Sequence, residues 1–198
     1  MGGKIYADIL SGMTHYGNYA FRGNVGTQFK GIKWKKFLNV LDNKISENIS
    51  TFLLSDQFNW RFVNYVTDVN DPPNLFYFAA PCYDNNLVLE PQTFNLVLPL
   101  LNFLEGETEK PLVVYRIKIN AYPRTDIIQE HIQHRDYEKK GLKAFVYMVN
   151  ENDGHTRIGQ QKVQSIKNSG VLFESSDLHN SSSCTNAKLR LTINVNYW

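Results

Sequence analysis

The stretch KLRLTINVNY, residues 188–197, constrains the fold more than any other part of the sequence, because its alternation is unbroken. One set of alternate side chains is apolar, namely Leu189, Leu191, Ile193, Val195 and Tyr197. The other set is polar, namely Lys188, Arg190, Thr192, Asn194 and Asn196. Successive residues of a β-strand point to opposite faces, so the pattern predicts a strand with its apolar face on a core. The polar face then either meets water or lines the inside of a β-sandwich.

Three other segments after residue 110 have the character of strands. LVVYRIKIN (112–120) alternates over most of its length, KAFVYMV (143–149) is apolar on both faces as in a central strand, and GVLFES (170–175) is short and apolar. The sequences NDG at 152–154 and NSG at 168–170 are typical of tight turns. Short strands joined by such turns predict a β-sandwich or jelly roll.

The first half of the chain predicts helices and one buried strand. Residues 31–56 carry apolar side chains at helix-like spacing, namely Trp34, Phe37, Leu38, Leu41, Ile45, Ile49 and Phe52. Residues 75–80, LFYFAA, predict a buried strand. Residues 91–104 predict a second helix, which Pro91 opens and Pro99 kinks.

These segments predict one domain over residues 1–198, mainly β with N-terminal helices (α+β). Residues 1–110 form an N-terminal helical layer with the first strands, and residues 111–198 form the jelly-roll core. The length and the hydrophobic content of 42% are those of an ordinary globular domain. No internal repeat or low-complexity tract divides the chain.

Charge and cysteine content narrow the class of partner and the compartment. A net charge of +2 gives no electrostatic reason to expect a nucleic-acid partner. The sequence has neither a signal-peptide pattern nor an apolar run long enough to span a membrane. Its two cysteines, Cys82 and Cys184, are too few for a disulfide framework. We therefore expect a reduced, cytoplasmic protein without a membrane partner.

The triplet His134-Arg135-Asp136 spells the HRD of a protein-kinase catalytic loop, but the rest of that loop is missing. A kinase needs an asparagine five residues after the aspartate to hold a magnesium ion, and Gly141 stands there. A His-x-Asp spacing by itself is a weak signal that also arises by chance.

A third residue gives this spacing a chemical meaning. In an extended segment, residues i and i+2 share a face, so His134 and Asp136 can present an imidazole and a carboxylate side by side. His179 follows the strand at 170–175 and can bring a second imidazole to the same end of a sandwich. Two histidines and one carboxylate with open positions form the facial triad of non-haem Fe(II) oxygenases. We therefore predict a metal site in the jelly-roll core.

Arg190 extends the candidate site. It lies eleven residues after His179 on the polar face of the last strand. A guanidinium inside a sandwich needs an anionic partner, and arginine suits bidentate pairing with carboxylates. A dicarboxylic co-substrate that chelates the metal at one end would supply that partner, and Thr192 and Asn194 on the same face can add hydrogen bonds. The alternative is an exposed edge strand with Arg190 in water.

At these residues the chain resembles the Fe(II)/2-oxoglutarate-dependent dioxygenases. The likeness is to the prolyl 4-hydroxylase-like branch, in the small form found in phages and marine metagenomes. It covers about residues 55–198 and rests on YRIKINAYPRT, HRDY, YMVNENDGHTRI, SCTNAKLR and INVNYW. The pattern of that family, His-x-Asp, a distal histidine and a basic residue about ten positions further on, is present in order.

The resemblance implies a double-stranded β-helix with His134, Asp136 and His179 as iron ligands. It also implies that Arg190 binds the distal carboxylate of 2-oxoglutarate and that Tyr122 hydrogen-bonds the same co-substrate.

Two positions depart from the family pattern. Asn194 stands where the branch often has a threonine near the co-substrate, and Met148 stands where it often has a tyrosine. These departures leave the contacts of the distal carboxylate open but spare the metal ligands and Arg190.

The activity implied by the resemblance is hydroxylation of a residue in a protein or peptide, with proline as the expected residue. The reaction consumes O2 and 2-oxoglutarate, releases succinate and CO2, and is supported in some relatives by ascorbate. Two alternatives stay open. One is a nucleic-acid or small-molecule oxygenase on the same scaffold, and the other is a non-catalytic viral jelly-roll module that binds a partner. The sequence does not indicate the oligomeric state.

Other residues near the motifs have less specific roles. We expect His131 to support the ligands or lie on the surface, and His155 to be exposed in a turn. His15 falls in the irregular N-terminal part. Tyr137 follows the aspartate and either lines the mouth of the site or packs.

Overall fold

The computed structural model describes residues 24–29, 32–69, 71, 74–108 and 110–198. These residues form two helices, α1 (Asn43–Leu53) and α2 (Pro91–Thr108). The strands are β1 (Asn24–Phe29), β2 (Ile32–Leu38), β3 (Arg61–Val63), β4 (Tyr77–Asp84), β5 (Leu87–Val88), β6 (Val114–Pro123), β7 (Lys143–Met148), β8 (His155–Ile158), β9 (Gln161–Gln164), β10 (Ser169–Glu174), β11 (His179–Ser181) and β12 (Leu189–Tyr197).

Nine of these strands form one antiparallel sheet in the order β1-β2-β10-β7-β12-β6-β4-β3, with β5 paired to β4. The other three form a small antiparallel sheet in the order β11-β8-β9. This arrangement is a double-stranded β-helix, so the predicted jelly roll is confirmed. The strands predicted after residue 110 correspond to β6, β7, β10 and β12, and the predicted LFYFAA strand corresponds to β4.

The last strand divides the molecule into an apolar and a polar side. The apolar residues of β12, among them Leu191 and Ile193, lie in the main core with Ile49 of α1 and Leu101 of α2. Both helices therefore cover the same face of the large sheet. The polar residues of β12 point away from this core, and Arg190 among them is fully buried. The alternation of β12 thus separates a packed core from a second, polar interior.

The helix predicted over residues 31–56 is correct only in its second half. Helix α1 begins after Asp42, whose carboxylate caps it by accepting the Lys44 amide, while Ile32–Leu38 is strand β2. Phe37 packs on the main core, and Trp34 packs on a smaller cluster on the other face of the sheet. A strand that buries side chains on both faces shows the three-residue apolar spacing of a helix, which explains the error.

The second predicted helix is confirmed and is longer than predicted. Helix α2 starts at Pro91, a favourable first position because proline has no amide hydrogen to satisfy, and it continues through Pro99. Neither α1 nor α2, the helices of the described part of the chain, combines the length and apolar character needed to cross a bilayer. Cys82 and Cys184 are both buried and unpaired.

Gly170 on β10 offers a test of the core packing. A Cβ atom at this position would overlap the ring of Phe145, which itself packs against the rings of Phe37 and Phe103. We expect Gly170→Ala to lower the free energy of unfolding by about 1–3 kcal/mol, because the ring has no room to move. Urea denaturation of the purified protein measures this.

Phe145→Leu provides the control for that test, since it removes the part of the ring that the new methyl group would meet. In the Phe145→Leu background Gly170→Ala should cost much less than in the wild type. An equal cost in both backgrounds would show that the Gly170–Phe145 contact is not the cause.

Candidate metal centre

Three side chains with metal-binding atoms meet in the interior between the two sheets. His134 and His179 are joined by a backbone bridge, in which each amide donates to the carbonyl of the other at 2.9 Å. Asp136 follows two residues later, where its amide donates to the carbonyl of Ser175 at 3.0 Å. Backbone hydrogen bonds therefore hold the main chain of all three residues in place. Only His134 of the predicted His-x-Asp segment takes part in strand pairing, and the chain turns away after it.

The donor atoms are spaced for one metal ion. The Nε2 atoms of His134 and His179 each lie 3.6 Å from Oδ1 of Asp136. All three donor atoms lie within 4.8 Å of one another. A metal held at about 2.1 Å from each donor places neighbouring donors about 3 Å apart, so small side-chain movements close the set around an ion.

The tautomers of both histidines suit metal binding. Nδ1 of His179 donates to the carbonyl of Asp177 at 2.9 Å, and Nδ1 of His134 donates to the carbonyl of Ile132 at 3.3 Å. A carbonyl oxygen only accepts hydrogen bonds, so Nδ1 carries the proton in each ring. The lone pair on each Nε2 is then free for the metal, which is the usual arrangement in histidine metal sites.

The carboxylate is held in its charged form. Burial raises the pKa of Asp136, but the imidazoles of His134 and His179 beside its Oδ1 outweigh this and keep the pKa well below its ordinary value. Asn196 adds a hydrogen bond from Nδ2 to Oδ2 of Asp136 at 3.1 Å. Asp136 is therefore ionised at neutral pH, as a metal ligand must be.

Arg190 lies in the same pocket and is the largest fully buried side chain described. Its Nε donates to Oγ of Ser165 and its Nη2 to Oγ1 of Thr156, both at 2.8 Å. Nη1 has no hydrogen-bond partner in the part of the chain that the structure describes. Burial lowers the pKa of Arg190 to about 10, so it remains a cation at neutral pH. The alternative of an exposed edge strand is wrong.

A buried cation of this kind needs an anion. None of the ion pairs among the described residues includes Arg190, whose neighbours are hydroxyl groups, the sulfur of Met148 and the ring of Tyr122 at 5.5 Å. Hydroxyl groups satisfy hydrogen bonds but not charge. The free Nη1 atom and the missing counter-charge fit a carboxylate ligand that enters the pocket.

The structure brings the remaining predicted residues to this pocket. Tyr122, Thr192 and Asn194 line it with the three metal-ligand candidates and Arg190. Tyr122 is stacked on Tyr77, with 5.6 Å between the ring centroids. Thr192 accepts a hydrogen bond from Nδ2 of Asn120 at 3.4 Å.

Two predictions about histidines are corrected or sharpened. His155 is buried, not exposed, because it lies in β8, and its Nε2 contacts Glu130 at 3.0 Å. His131 is buried and supports the pocket wall. Its ring lies 5.0 Å from that of Tyr122, and its Nδ1 contacts Oγ of Ser181 at 2.7 Å.

The sequence analysis also named Tyr137 and His15. Tyr137 packs edge-on against Tyr115 at 4.9 Å and accepts a hydrogen bond from Arg116 at 3.3 Å. His15 lies outside the described residues.

The sequence analysis missed several residues that line the pocket or hydrogen-bond to the residues that line it. Lys118 and Asn120 line the pocket from β6. Both alternate with apolar residues in the sequence, but this alternation does not predict which face of the strand meets water. Asn196 belongs to the polar set of β12. Thr156 lies in β8 and Ser165 directly follows β9, and no sequence pattern marks either as the partner of an arginine.

No family model matches this sequence, and no curated protein matches it. Solved structures match its fold. An oxidoreductase of the 2OG-Fe(II) oxygenase family from Burkholderia pseudomallei gives a TM-score of 0.55 at 13% identity, over 81% of each chain. The chain has the fold of the 2OG-Fe(II) oxygenases.

Two more neighbours show the range of proteins with this fold. A prolyl-4-hydroxylase from Pseudomonas putida gives a TM-score of 0.55 at 11% identity, over 83% of this chain and 91% of that one. HygX from Streptomyces hygroscopicus, solved with nickel, 2-oxoglutarate and hygromycin B, gives 0.54 at 11% identity, over 83% and 82%. The TM-scores of these neighbours show that the chain shares their fold.

Metal binding by the three residues can be tested without any co-substrate. We expect His179→Ala to weaken Mn(II) binding at least about tenfold in isothermal titration calorimetry, because one donor atom of the set is lost. His131→Phe is the matched control. It keeps an aromatic ring against Tyr122, and its affinity should stay close to that of the wild type. Loss of Mn(II) binding in His131→Phe with retention in His179→Ala would reassign the ligand.

Proposed function

We propose that this protein is an Fe(II)- and 2-oxoglutarate-dependent dioxygenase. The observation that carries the proposal is a buried arginine with an unpaired Nη1, in one pocket with two histidines and a carboxylate whose donor atoms converge. Neither half is specific by itself. A metal triad occurs in hydrolases as well, and a buried arginine also has structural roles, but their combination matches a co-substrate with a chelating end and a free carboxylate.

The residues present fit both groups. His134, Asp136 and His179 would hold the iron through two neutral imidazoles and one ionised carboxylate, a donor set that suits Fe(II). When bound, the iron with 2-oxoglutarate and O2 supplies the oxidising chemistry, with succinate and CO2 as by-products. Ascorbate is proposed as a supporting reductant. The nickel and 2-oxoglutarate in the HygX structure support this assignment.

The protein's own residues would position the co-substrate. Arg190 would bind its distal carboxylate through Nη1, while Ser165 and Thr156 keep the guanidinium in place. The ring of Tyr122 lies beside the guanidinium, and Thr192 lies next along the same strand face. We propose that Tyr122, Thr192 and Asn194 complete the co-substrate contacts by hydrogen bonds. A rigid pocket of this kind orients the reacting groups before the reaction starts.

The proposed substrate is a peptidyl residue, with proline as the first candidate. Support comes from the resemblance to the prolyl 4-hydroxylase-like branch and from the fold shared with the Pseudomonas putida prolyl-4-hydroxylase. A small-molecule substrate is the second candidate, because HygX shares the fold and was solved with hygromycin B. The viral binding module is disfavoured, since it gives Arg190 no anion.

Two other properties are proposed on the sequence alone. We place the protein in the cytoplasm of its cell, or of the host cell for a phage protein. We also propose that residues 1–110 form the layer that supports the jelly-roll core of residues 111–198.

Anaerobic titration with Fe(II) and then 2-oxoglutarate tests the proposed co-substrate. The wild type should develop the visible charge-transfer band of the iron chelate. In Arg190→Met the apparent Kd for 2-oxoglutarate should rise about 30-fold or more, because truncating one partner of a buried charge pair costs about 2 kcal/mol or more.

Arg124→Met serves as the matched control for that titration, since it removes an exposed arginine that does not line the pocket. Its Kd should equal that of the wild type. Metal binding without any band in the wild type would refute the 2-oxoglutarate assignment. An unchanged Kd in Arg190→Met would show that the arginine does not bind the co-substrate.

Turnover assays distinguish the two substrate classes. We expect proline-containing peptides to raise succinate release above the rate without substrate, and to gain the mass of one oxygen atom in mass spectrometry. The same assay with hygromycin B tests the small-molecule alternative. Stimulation by hygromycin B and not by any proline peptide would reverse the order of the two candidates.

A further inference from the structure

Lys118 is a cation of the pocket that the proposed chemistry does not use. It lies on the inner face of β6, is half-buried and lines the pocket together with the metal-ligand candidates. Its ammonium group donates to the hydroxyl of Tyr77 at 3.3 Å and lies 5.3 Å from the centre of the same ring. These contacts hold the side chain in place without neutralising its charge.

The charge of Lys118 is unpaired within the described part of the chain. Among residues 24–198 as far as they are described, no carboxylate lies within ion-pair distance of Lys118 or of Arg116, the preceding residue on the same face. Arg116 donates to the hydroxyl of Tyr137 at 3.3 Å. Burial, followed by the positive charge of Arg116, lowers the pKa of Lys118 to about 8. Lys118 in the pocket and Arg116 beside it are therefore two neighbouring cations with no ion-pair partner among the described residues.

The strand register separates Lys118 from the arginine end of the pocket. Arg190 is paired with Tyr122, whereas Lys118 is paired with Asn194, four residues further along β12. That offset corresponds to about 13 Å along the strands. Asn196, the next residue on the same face as Asn194, hydrogen-bonds Asp136. Lys118 therefore lies at the end of the pocket that faces the metal-ligand candidates, away from the proposed site of the distal carboxylate.

A count of the charges in the loaded pocket indicates that Lys118 lacks a balancing anion. A divalent metal, ionised Asp136, doubly negative 2-oxoglutarate and Arg190 together are neutral. Lys118 adds one positive charge that none of these groups balances. A half-buried cation beside a second cation favours an incoming anion, because hydrogen bonds to charged groups are stronger than those between neutral groups.

We propose that Lys118, assisted by Arg116, binds an anionic group of the primary substrate, a carboxylate or a phosphate, next to the atom that reacts. This inference rests on the proposed function and narrows its substrate class to molecules with an acidic group near the target. Lys118 is then a specificity residue that positions the substrate, while the metal and the co-substrate occupy the Arg190 side of the pocket.

The test uses the full chain loaded with Mn(II) and 2-oxoglutarate under nitrogen, so that binding is measured without turnover. The probes are acetyl-Xaa-Pro-Gly-amide and acetyl-Gly-Pro-Xaa-amide, with glutamate, glutamine, phosphoserine or serine at Xaa. We expect the glutamyl or phosphoseryl peptide to bind about tenfold tighter than its neutral counterpart in calorimetry, the size of one charged hydrogen bond. The glutamate and phosphoserine arms tell a carboxylate from a phosphate.

Three variants attribute any preference to Lys118. Lys118→Met should reduce the ratio of anionic to neutral affinity to about one, and Lys118→Arg should retain most of it, because the charge is kept. Lys44→Met removes a lysine at the start of α1, outside the pocket, and should leave the ratio unchanged. Absence of a preference in the wild type, or its persistence in Lys118→Met, would overturn the proposal.

The Kd for 2-oxoglutarate separates this inference from the proposed function. In Lys118→Met it should stay close to the wild-type value, whereas in Arg190→Met it should rise strongly. A parallel rise in both variants would make Lys118 a co-substrate residue and overturn its role in substrate binding. Absence of 2-oxoglutarate binding in the wild type would refute the proposed function itself, a result visible before any peptide is added.

Discussion

A positive charge buried among neutral groups lowers the stability of the fold, and the surrounding strands are arranged to hold it. Arg190 receives no carboxylate from the described chain, only the hydroxyls of Ser165 and Thr156. Those hydroxyls come from the residue that follows β9 and from β8 of the small sheet, while Arg190 itself comes from the large sheet. The guanidinium therefore ties the two sheets together at the place where the interior is polar. The fold keeps a cation ready at the cost of some stability.

The metal-ligand candidates are positioned by the backbone more than by side-chain packing. The bridge between His134 and His179 sets the distance between the two imidazoles, and carbonyl oxygens set their tautomers. Asn196 then orients the carboxylate of Asp136. Because β12 supplies both Asn196 and Arg190, one strand orients the metal side and the anion side of the pocket. A shift of β12 by one residue would exchange these polar groups for the apolar residues of the core.

The sequence predicted most of what depends on alternation and spacing, and less of what depends on which strands become neighbours. The faces of β12 followed from its period, and the residues proposed as ligands were found by their spacing and chemistry. The strand β2 was missed because Trp34 and Phe37 are buried on opposite faces, which imitates a helix. His155 was misplaced because its burial depends on contacts with Ser182 and Glu130, which are distant in sequence. Lys118 was overlooked because an alternating strand does not say which of its faces meets water.

The bridge between His134 and His179 also has a consequence for the order of folding. The three donor atoms come from two segments that are far apart in sequence, and the second segment belongs to a small sheet that must itself assemble from β8, β9 and β11. Contacts of that kind form late, since closing a long loop costs entropy before any contact repays it. A metal ion would then meet a finished binding site late in folding, and its binding would stabilise the folded state without guiding the chain towards it.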